Sequence, residues 1–169
     1  LKDQVNGTDG LDGARSIVLT SDGKFAYLAA ASDNSLGWFE RNASNGALTF
    51  LDILKDGVNG VDGLQNASHF ILSDDEKQVY IVGWGGNAVS WYDRNVISGR
   101  LDFGGILQDG VDGVDGLATP SSISLSADGR SAYVTSWGEN ALSNFTRESQ
   151  SGLLTYGVAS DANYTLRKT

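Results

Sequence analysis

The sequence predicts an all-β protein in which one four-stranded unit occurs three times. The first observation is a period: "DQVNGTDGLDGA" begins at Asp3, "DGVNGVDGLQNA" at Asp56 and "DGVDGVDGLATP" at Asp109, so the copies start 53 residues apart. The second is that every unit consists of short apolar stretches separated by turn signals. The third is that no segment keeps the 3.6-residue apolar period of a helix. The chain therefore divides into units 1–53, 54–106 and 107–159, followed by a tail at 160–169.

Each unit contains four candidate strands. In the third unit these are "SSISLS", "SAYVTSW", "ALSNF" and "LLTYGV", and the segments between them are "ADGR", "GEN" and "TRESQSG". An Asp-Gly pair between alternating apolar runs favours a hairpin, because glycine accepts the positive φ of a tight turn. We therefore expect four antiparallel strands in every unit and almost no helix.

A four-stranded meander repeated about every 53 residues is typical of a β-propeller blade, whereas a β-solenoid usually has a shorter repeat. The run Leu36–Gly37–Trp38–Phe39 fits a middle strand that is packed on both faces. Closed propellers have about four to eight blades, so three blades would leave two apolar faces open. We expect a homodimer that closes a six-bladed ring, or a larger even assembly. The alternative is that the chain is a fragment of a longer propeller.

Composition narrows the classes of partner. The net charge is −9, the few Lys and Arg are scattered, and nucleic acid is therefore not an expected partner. No apolar run approaches the length of a membrane span, so no membrane insertion is expected. The chain has no Cys, which excludes disulfides and thiolate metal sites.

Two features suggest export of the protein from the cell. The sequence begins at Leu1 and contains no Met, which we interpret as a mature, processed and secreted polypeptide. Five sequons also occur, and they make the protein a candidate glycoprotein. Their asparagines are Asn6, Asn42, Asn66, Asn144 and Asn163.

The order of strands in a meander predicts where a ligand would bind. The loop between one blade and the next shares a rim with the loop between the second and third strands of each blade. On this rim every repeat brings together an Asp-Gly pair, a polar residue that enters the first strand, and a short loop ending in Asn. The candidate carbohydrate-binding residues of the second and third repeats are Asp62, Gly63, His69, Trp84, Gly85, Asn87, Asp115, Gly116, Ser122, Trp137, Gly138 and Asn140. The first repeat has Ala31 in place of Trp and offers a weaker site at Asp9, Ser16 and Asn34.

An aromatic ring beside an amide and a carboxylate suits sugar recognition, because the ring covers the apolar face of a pyranose while the polar groups bind its hydroxyls. The alternative is that Trp84 and Trp137 serve packing between blades. The plan is similar to that of propeller lectins of the tachylectin type, which implies one acetylated-sugar site on each blade. Weak sites repeated around a ring would bind glycans multivalently. We therefore predict a lectin for N-acetylated hexosamines that is not an enzyme and uses no cofactor.

The stretch "SSISLSADGRSAYVTSWGENALSNFTRESQSGLLTY" resembles the repeat of the YVTN/lactonase-type β-propeller family. The resemblance recurs in all three units and implies the propeller fold. It also implies the leading alternative function, a lactonase-like hydrolase that acts through a metal. A third possibility is a non-catalytic propeller that binds other proteins.

Metal binding and catalysis have weaker support in the residues themselves. Asp109, Asp112 and Asp115 lie three residues apart, unlike the D-x-D-x-D-G calcium loop, so we interpret the Asp-Gly segments as turns without a metal. The chain has one His and no G-x-S-x-G elbow. We expect Trp38 and Trp91, in the third strands, to serve packing rather than ligand contact.

Overall fold

The computed structural model describes residues 1–157 and contains three four-stranded antiparallel sheets. The strands of the first blade are β1 (Ala14–Leu19), β2 (Phe25–Ala30), β3 (Ser35–Arg41) and β4 (Leu48–Lys55). Those of the second blade are β5 (Ala67–Leu72), β6 (Gln78–Gly83), β7 (Ala88–Arg94) and β8 (Leu101–Gln108). Those of the third blade are β9 (Pro120–Leu125), β10 (Ser131–Ser136), β11 (Ala141–Arg147) and β12 (Leu154–Tyr156). The predicted tail at 160–169 and its sequon at Asn163 lie outside the described residues.

Each sheet is a meander in which consecutive strands are neighbours. Neighbouring sheets contact each other along β1, β5 and β9, which are the first strands of the three blades. The first strands therefore lie at the centre and the fourth strands at the periphery, as in a propeller. The prediction of an all-β propeller with three four-stranded blades is confirmed. Within residues 1–157, no helix is long and apolar enough to cross a membrane.

The first strand of every blade carries one extra residue near its beginning. The pairing register shifts around Arg15 in β1, Ser68 in β5 and Ser121 in β9, so each of these residues is a β-bulge. A bulge leaves one residue unpaired and turns the neighbouring side chain to a new direction. Ser16, His69 and Ser122 follow directly after the three bulges, where the inner strands leave the rim loops.

Two apolar cores join the three blades. The first packs Tyr27, Leu36 and Trp38 of one blade against residues such as Phe70 and Tyr92 of the next. The second packs the opposite face of the middle blade against the third. Trp38 and Trp91 are 3% and 5% exposed in these cores, so the prediction that they serve packing is confirmed. Burial of large aromatic side chains on both faces of the middle blade stabilises its packing against both neighbours.

A polar contact accompanies each core, and we name it the Tyr–Arg latch. At the first junction, Arg94 Nε donates to the Tyr27 hydroxyl at 2.5 Å, and that hydroxyl donates to the Gly99 carbonyl at 2.8 Å. At the second junction, Arg147 Nε donates to the Tyr80 hydroxyl at 2.5 Å, which donates to the Gly152 carbonyl at 2.7 Å. In both cases one blade supplies the tyrosine, and the following blade supplies the arginine and the glycine.

The latch satisfies groups that are removed from water. Tyr27 and Tyr80 are fully buried, and Arg94 and Arg147 are each 6% exposed. Each guanidinium also donates to a carbonyl of its own blade, at Glu76 or Gly129. Burial raises the pKa of both tyrosine hydroxyls above the usual value of 10.0, although the facing arginine opposes that shift. Loss of the tyrosine hydroxyl would leave Nε of a buried guanidinium without its acceptor.

The substitution Tyr80→Phe tests how much a latch contributes to stability. We expect the free energy of unfolding to fall by about 1–3 kcal/mol, because Arg147 Nε loses its acceptor while the aromatic ring is retained. Urea unfolding followed by circular dichroism measures this difference. Tyr156→Phe is the matched control, since Tyr156 is half-buried against Phe145 and lies outside the latch. Equal losses in the two variants would contradict the role of the latch.

The tyrosines also predict how stability depends on pH. The unfolded pKa is about 10 and the folded pKa is higher, so the contribution of these groups is complete below pH ~10 and is lost as the pH rises toward the folded pKa. We therefore expect the urea midpoint to fall with increasing pH above 10. The double variant Tyr27→Phe/Tyr80→Phe should have a smaller slope in that range. An unchanged slope would mean that other groups cause the alkaline loss.

Candidate functional site

The rim consists of the Asp-Gly loops at 3–13, 56–66 and 109–119 and the loops at 31–34, 84–87 and 137–140. The backbone joins the two sets directly, since Gly85 N donates to the Gln65 carbonyl and Gly138 N donates to the Ala118 carbonyl. The sequence prediction that these loops share one side of the propeller is confirmed by these contacts.

The first aspartate of each Asp-Gly loop closes the loop. A side-chain oxygen of Asp3, Asp56 or Asp109 accepts a hydrogen bond from the backbone N–H eight residues later, at Leu11, Leu64 or Leu117, over 2.8–2.9 Å. Leu64 and Leu117 are fully buried between blades. The carboxylate thus folds the loop and fixes the leucine in the core, so the interpretation of these segments as turns is confirmed.

Asn34 and Asn87 connect consecutive blades. Asn34 Oδ1 accepts from Asn66 N at 2.7 Å, and Asn87 Oδ1 accepts from Thr119 N at 2.9 Å. Both residues have positive φ, 51° and 50°, a conformation that asparagine adopts more readily than most residues. Their side-chain oxygens are therefore engaged in the fold. Asn140 has the same backbone conformation, and its side chain is exposed.

The candidate glycines leave room for neighbouring strands and loops. A Cβ atom at Gly63 would lie 2.9 Å from Ser90 Cβ, one at Gly85 would lie 2.2 Å from Asn66 Oδ1, and one at Gly116 would lie 2.5 Å from Ser143 Oγ. At Gly138 the nearest atom would be the Ala118 carbonyl oxygen, at 2.9 Å. The close packing of the rim therefore explains why glycine occupies these four positions.

The groups left accessible on the rim are aromatic and acidic. Trp84 is 40% exposed and Trp137 is 77% exposed, so neither fills the space between blades as the alternative supposed. Asp62 and Asp115 are exposed as well, and one oxygen of Asp62 accepts from Gly63 N at 2.8 Å. Ser122 is half-buried on β9, opposite Thr135.

His69 is the candidate site residue whose hydrogen bond indicates which ring nitrogen carries the proton. Its Nδ1 accepts from the backbone N–H of Ile123 at 3.3 Å, so a neutral imidazole carries its proton on Nε2. Among residues 1–157, Nε2 has no protein acceptor. The bond crosses from the second blade to the third, next to the bulge at Ser68. His69 thus joins two inner strands and keeps one free N–H donor.

The first repeat differs from the other two. Asp9 Oδ2 pairs with Lys55 Nζ at 2.9 Å, and the hydrogen bond from Lys55 is the largest cause that lowers the pKa of Asp9. Ser16 is half-buried directly after the bulge at Arg15. The first repeat therefore has an ion-paired carboxylate and Ala31 in place of Trp, and its weaker site stays a prediction.

Two groups of carboxylates occur on the rim that the sequence did not single out as groups. They are Asp3, Asp9 and Asp33, and Asp109, Asp115 and Glu139, and in each group the oxygens lie within 4.8 Å of one another. Several of these oxygens accept backbone hydrogen bonds; Asp33 accepts from Asp12 N at 2.8 Å, and Glu139 accepts from Ala118 N at 3.3 Å. Asp33 and Glu139 occupy the same position of the repeat. This shared position is the sequence signal from which the two groups could have been predicted.

Comparison with known proteins identifies the family. The model of the family "Lactonase, 7-bladed beta-propeller" matches residues 2–110, which is more than half of the chain. The chain belongs to this family. The match includes the whole second blade, with His69, Trp84 and Asn87. It also confirms the resemblance to lactonase-type propellers. No curated protein matches the chain.

Solved structures of similar proteins agree with this assignment. The periplasmic gluconolactonase of Pseudomonas aeruginosa is 26% identical with a TM-score of 0.74, and the match covers 87% of this chain and 39% of that one. A candidate 6-phosphogluconolactonase of Bacteroides fragilis is 25% identical with a TM-score of 0.74, over 88% of this chain and 38% of that one. A further candidate 6-phosphogluconolactonase, from Bacteroides uniformis, is 20% identical with a TM-score of 0.73, and the match covers 87% of this chain and 40% of that one. The chain thus spans about two fifths of the length of these proteins.

These findings correct the predicted function. The interpretation as a lectin that is not an enzyme is wrong, because the family is one of lactonases and its relatives carry lactonase names. The repetition of polar groups on every blade suggested multivalent binding. In the structure, much of that repetition belongs to loop closure and to contacts between blades, which every blade needs. The family match and these similar structures favour the alternative, a lactonase-like hydrolase, over the lectin.

Asn87 allows the structural role of the rim to be tested. We expect Asn87→Gly to lower the free energy of unfolding by about 1–3 kcal/mol, because Thr119 N loses its acceptor while the positive φ is tolerated. Asn87→Ala should cost roughly 1–2 kcal/mol more, since alanine is strained at this φ. Asn140→Gly is the control and should change stability by less than about 0.5 kcal/mol. If urea unfolding shows no loss of stability in Asn87→Gly, the hydrogen bond from Thr119 N to Asn87 Oδ1 is dispensable.

Proposed function

We propose that this protein contributes the rim and inner strands of a lactonase that hydrolyses a sugar lactone. The match of residues 2–110 to the lactonase family is the observation that carries the proposal. The relative from Pseudomonas aeruginosa is named a gluconolactonase, which makes an aldonolactone the substrate class to try first.

Hydrolysis of a lactone has simple requirements. Water adds to the ring carbonyl, negative charge develops on the carbonyl oxygen, and the ring C–O bond breaks as the ring oxygen takes up a proton. A hydrogen-bond donor aimed at the carbonyl oxygen stabilises that charge. An aromatic surface can hold the sugar ring, and carboxylates or amides can bind its hydroxyls.

His69 is the residue that we assign to the carbonyl oxygen. Its Nδ1 accepts from Ile123 N, which leaves the neutral ring with a donor at Nε2. The exposed rings of Trp84 and Trp137 offer flat apolar surfaces on the same rim. The exposed carboxylates of Asp62 and Asp115 are candidates to bind substrate hydroxyls. Five of the predicted binding residues thus stay in the proposed site, with a lactone instead of an acetylated sugar as their ligand. The side-chain oxygen of Asn87 and the four candidate glycines serve the fold.

Several expectations stay predictions beside this proposal. We propose that the two open blade faces are covered by closure of a ring from two chains, which supplies six blades. The family description counts seven, so six-fold closure requires the angle between blades to open from one seventh to one sixth of a turn.

Secretion, glycosylation of the sequons and the absence of nucleic-acid and membrane partners also stay predictions, as does the absence of a cofactor.

Two substitutions of His69 separate a substrate contact from a structural one. Asn places a carbonyl oxygen where Nδ1 accepts from Ile123 N but has nothing at the position of Nε2. Gln reaches the position of Nε2 with an N–H₂ donor and leaves Ile123 N unpaired. We expect His69→Asn to lower kcat/KM for glucono-1,5-lactone at least tenfold with little change in unfolding free energy. His69→Gln should retain more activity and lose about 1 kcal/mol of stability.

The assay is acid release above the spontaneous rate, with and without a chelator. A rate for the unsubstituted protein equal to the spontaneous rate would overturn the proposed activity. Full activity in His69→Asn would mean that the protein hydrolyses the lactone but that His69 takes no part in the reaction. A loss of activity with chelator would indicate that a metal ion takes part, and the two groups of carboxylates on the rim would be its first candidate ligands.

A further inference from the structure

The sequence contains three Asn-Gly pairs, and two of them form the tip of an Asp-Gly loop. The pairs are Asn6–Gly7, Asn45–Gly46 and Asn59–Gly60. In the second repeat the tip is a four-residue turn, closed by a hydrogen bond from Val61 N to the Val58 carbonyl at 3.0 Å. The two central residues, Asn59 and Gly60, have φ of 53° and 80°. Two consecutive positive φ angles are typical of a type I′ turn, which favours Asn followed by Gly.

The same turn occurs in the other two Asp-Gly loops. It surrounds Asn6 in the first repeat and Asp112 in the third, with closing hydrogen bonds of 3.1 and 2.9 Å. Asn6, Asn59 and Asp112 have φ of 52°, 53° and 51°. The turn therefore accepts aspartate at the position where the first two repeats have asparagine.

An Asn-Gly pair also allows a reaction within the chain. The glycine nitrogen can attack the side-chain amide carbon of the asparagine, because the glycine has no Cβ to hinder the approach. A bond forms between that nitrogen and Cγ, and the Cγ–Nδ2 bond breaks, so that Nδ2 leaves with the displaced proton as ammonia. Water then opens the resulting succinimide ring at either carbonyl carbon. One product is aspartate, and the other is isoaspartate, whose backbone runs through Cβ and Cγ. Water is the only co-reactant.

The loop tips leave the reacting groups accessible. Asn59 and Gly60 are exposed, and a Cβ atom on Gly60 would have nothing within 4 Å. Within residues 1–157, neither the Gly60 N–H nor the Asn59 side chain has a hydrogen-bond partner. The same is true of Asn6 and Gly7. Water and base can therefore reach the reacting atoms of both turns.

The third pair is held differently, although it is exposed as well. Gly46 N donates to the Asn42 carbonyl at 2.8 Å. Asn45 Oδ1 accepts from Ala47 N at 2.9 Å. Attack on the Asn45 side chain requires these hydrogen bonds to open first. The three pairs share one dipeptide sequence, so the fold is what separates their reactivity.

We propose that Asn6 and Asn59 are modification sites, at which the following glycine nitrogen converts asparagine into aspartate and isoaspartate, while the fold protects Asn45. Each conversion adds one negative charge. The aspartate product gives the loop the turn residues of the third repeat, Asp112 and Gly113. Isoaspartate has a longer backbone than the turn accommodates, and at position 59 it alters the loop that carries Asp62. This inference is independent of the proposed hydrolysis.

Peptide mass spectrometry of the folded protein, incubated at mildly alkaline pH, tests the proposal. We expect the mass change from amide to carboxyl at Asn6 and Asn59 roughly tenfold faster than at Asn45, because the hydrogen bonds around Asn45 must open before it reacts. Chromatography should resolve two products at each converted site. The variant Asn59→Asp provides the reference for the aspartate product.

The same incubation in urea is the control. The three pairs should convert at similar rates when the chain is unfolded, because they then share only their dipeptide sequence. Conversion of Asn45 in the folded protein as fast as that of Asn6 or Asn59 would overturn the proposal. So would a folded protein in which Asn6 or Asn59 stays intact. Aspartate without isoaspartate would mean direct hydrolysis of the side chain, and this too would overturn it.

Discussion

A buried tyrosine hydroxyl held between an arginine and a glycine carbonyl of the following blade joins each pair of blades in this protein. The donors and acceptors are the same at both junctions, Tyr27 with Arg94 and Tyr80 with Arg147. Because these polar groups are removed from water, the blades can pack only in the orientation that satisfies them. That orientation brings the first strands together at the centre, with the rim loops on one side, so the geometry of the candidate site depends on it.

The short loops of the rim provide both contacts that stabilise the fold and residues of the candidate site. Carboxylates such as Asp56 close the loops, and Asn87 connects one blade to the next. These groups recur in every repeat because every repeat must fold. What distinguishes one blade from another is a smaller set, above all His69 on the inner strand of the second blade. Trp84 and Asp62 have counterparts in Trp137 and Asp115, whereas Ser16 and Ser122 stand in the other blades where the second has His69. A single site for one lactone is compatible with this asymmetry.

The sequence predicted the fold well, because a 53-residue period and Asp-Gly turns are local signals that tertiary contacts do not override. It also predicted the rim and the packing role of Trp38. It did not reveal that Asn34 and Asn87 bond to the following blade, since such contacts join residues 32 positions apart. The prediction of a lectin failed for the same reason: a repeated polar residue has the same pattern in a sequence whether it binds a ligand or a backbone N–H.

The most direct test of this account uses the only histidine of the chain. A sample labelled with ¹⁵N at histidine gives one imidazole, and an aldonolactam offers it the ring carbonyl of a lactone without being hydrolysed. The account predicts a neutral ring with its proton on Nε2, and a shift of the Nε2 resonance as the lactam is added, while Nδ1 stays an acceptor from Ile123 N. A proton on Nδ1, or resonances that do not move at saturating lactam, would contradict it.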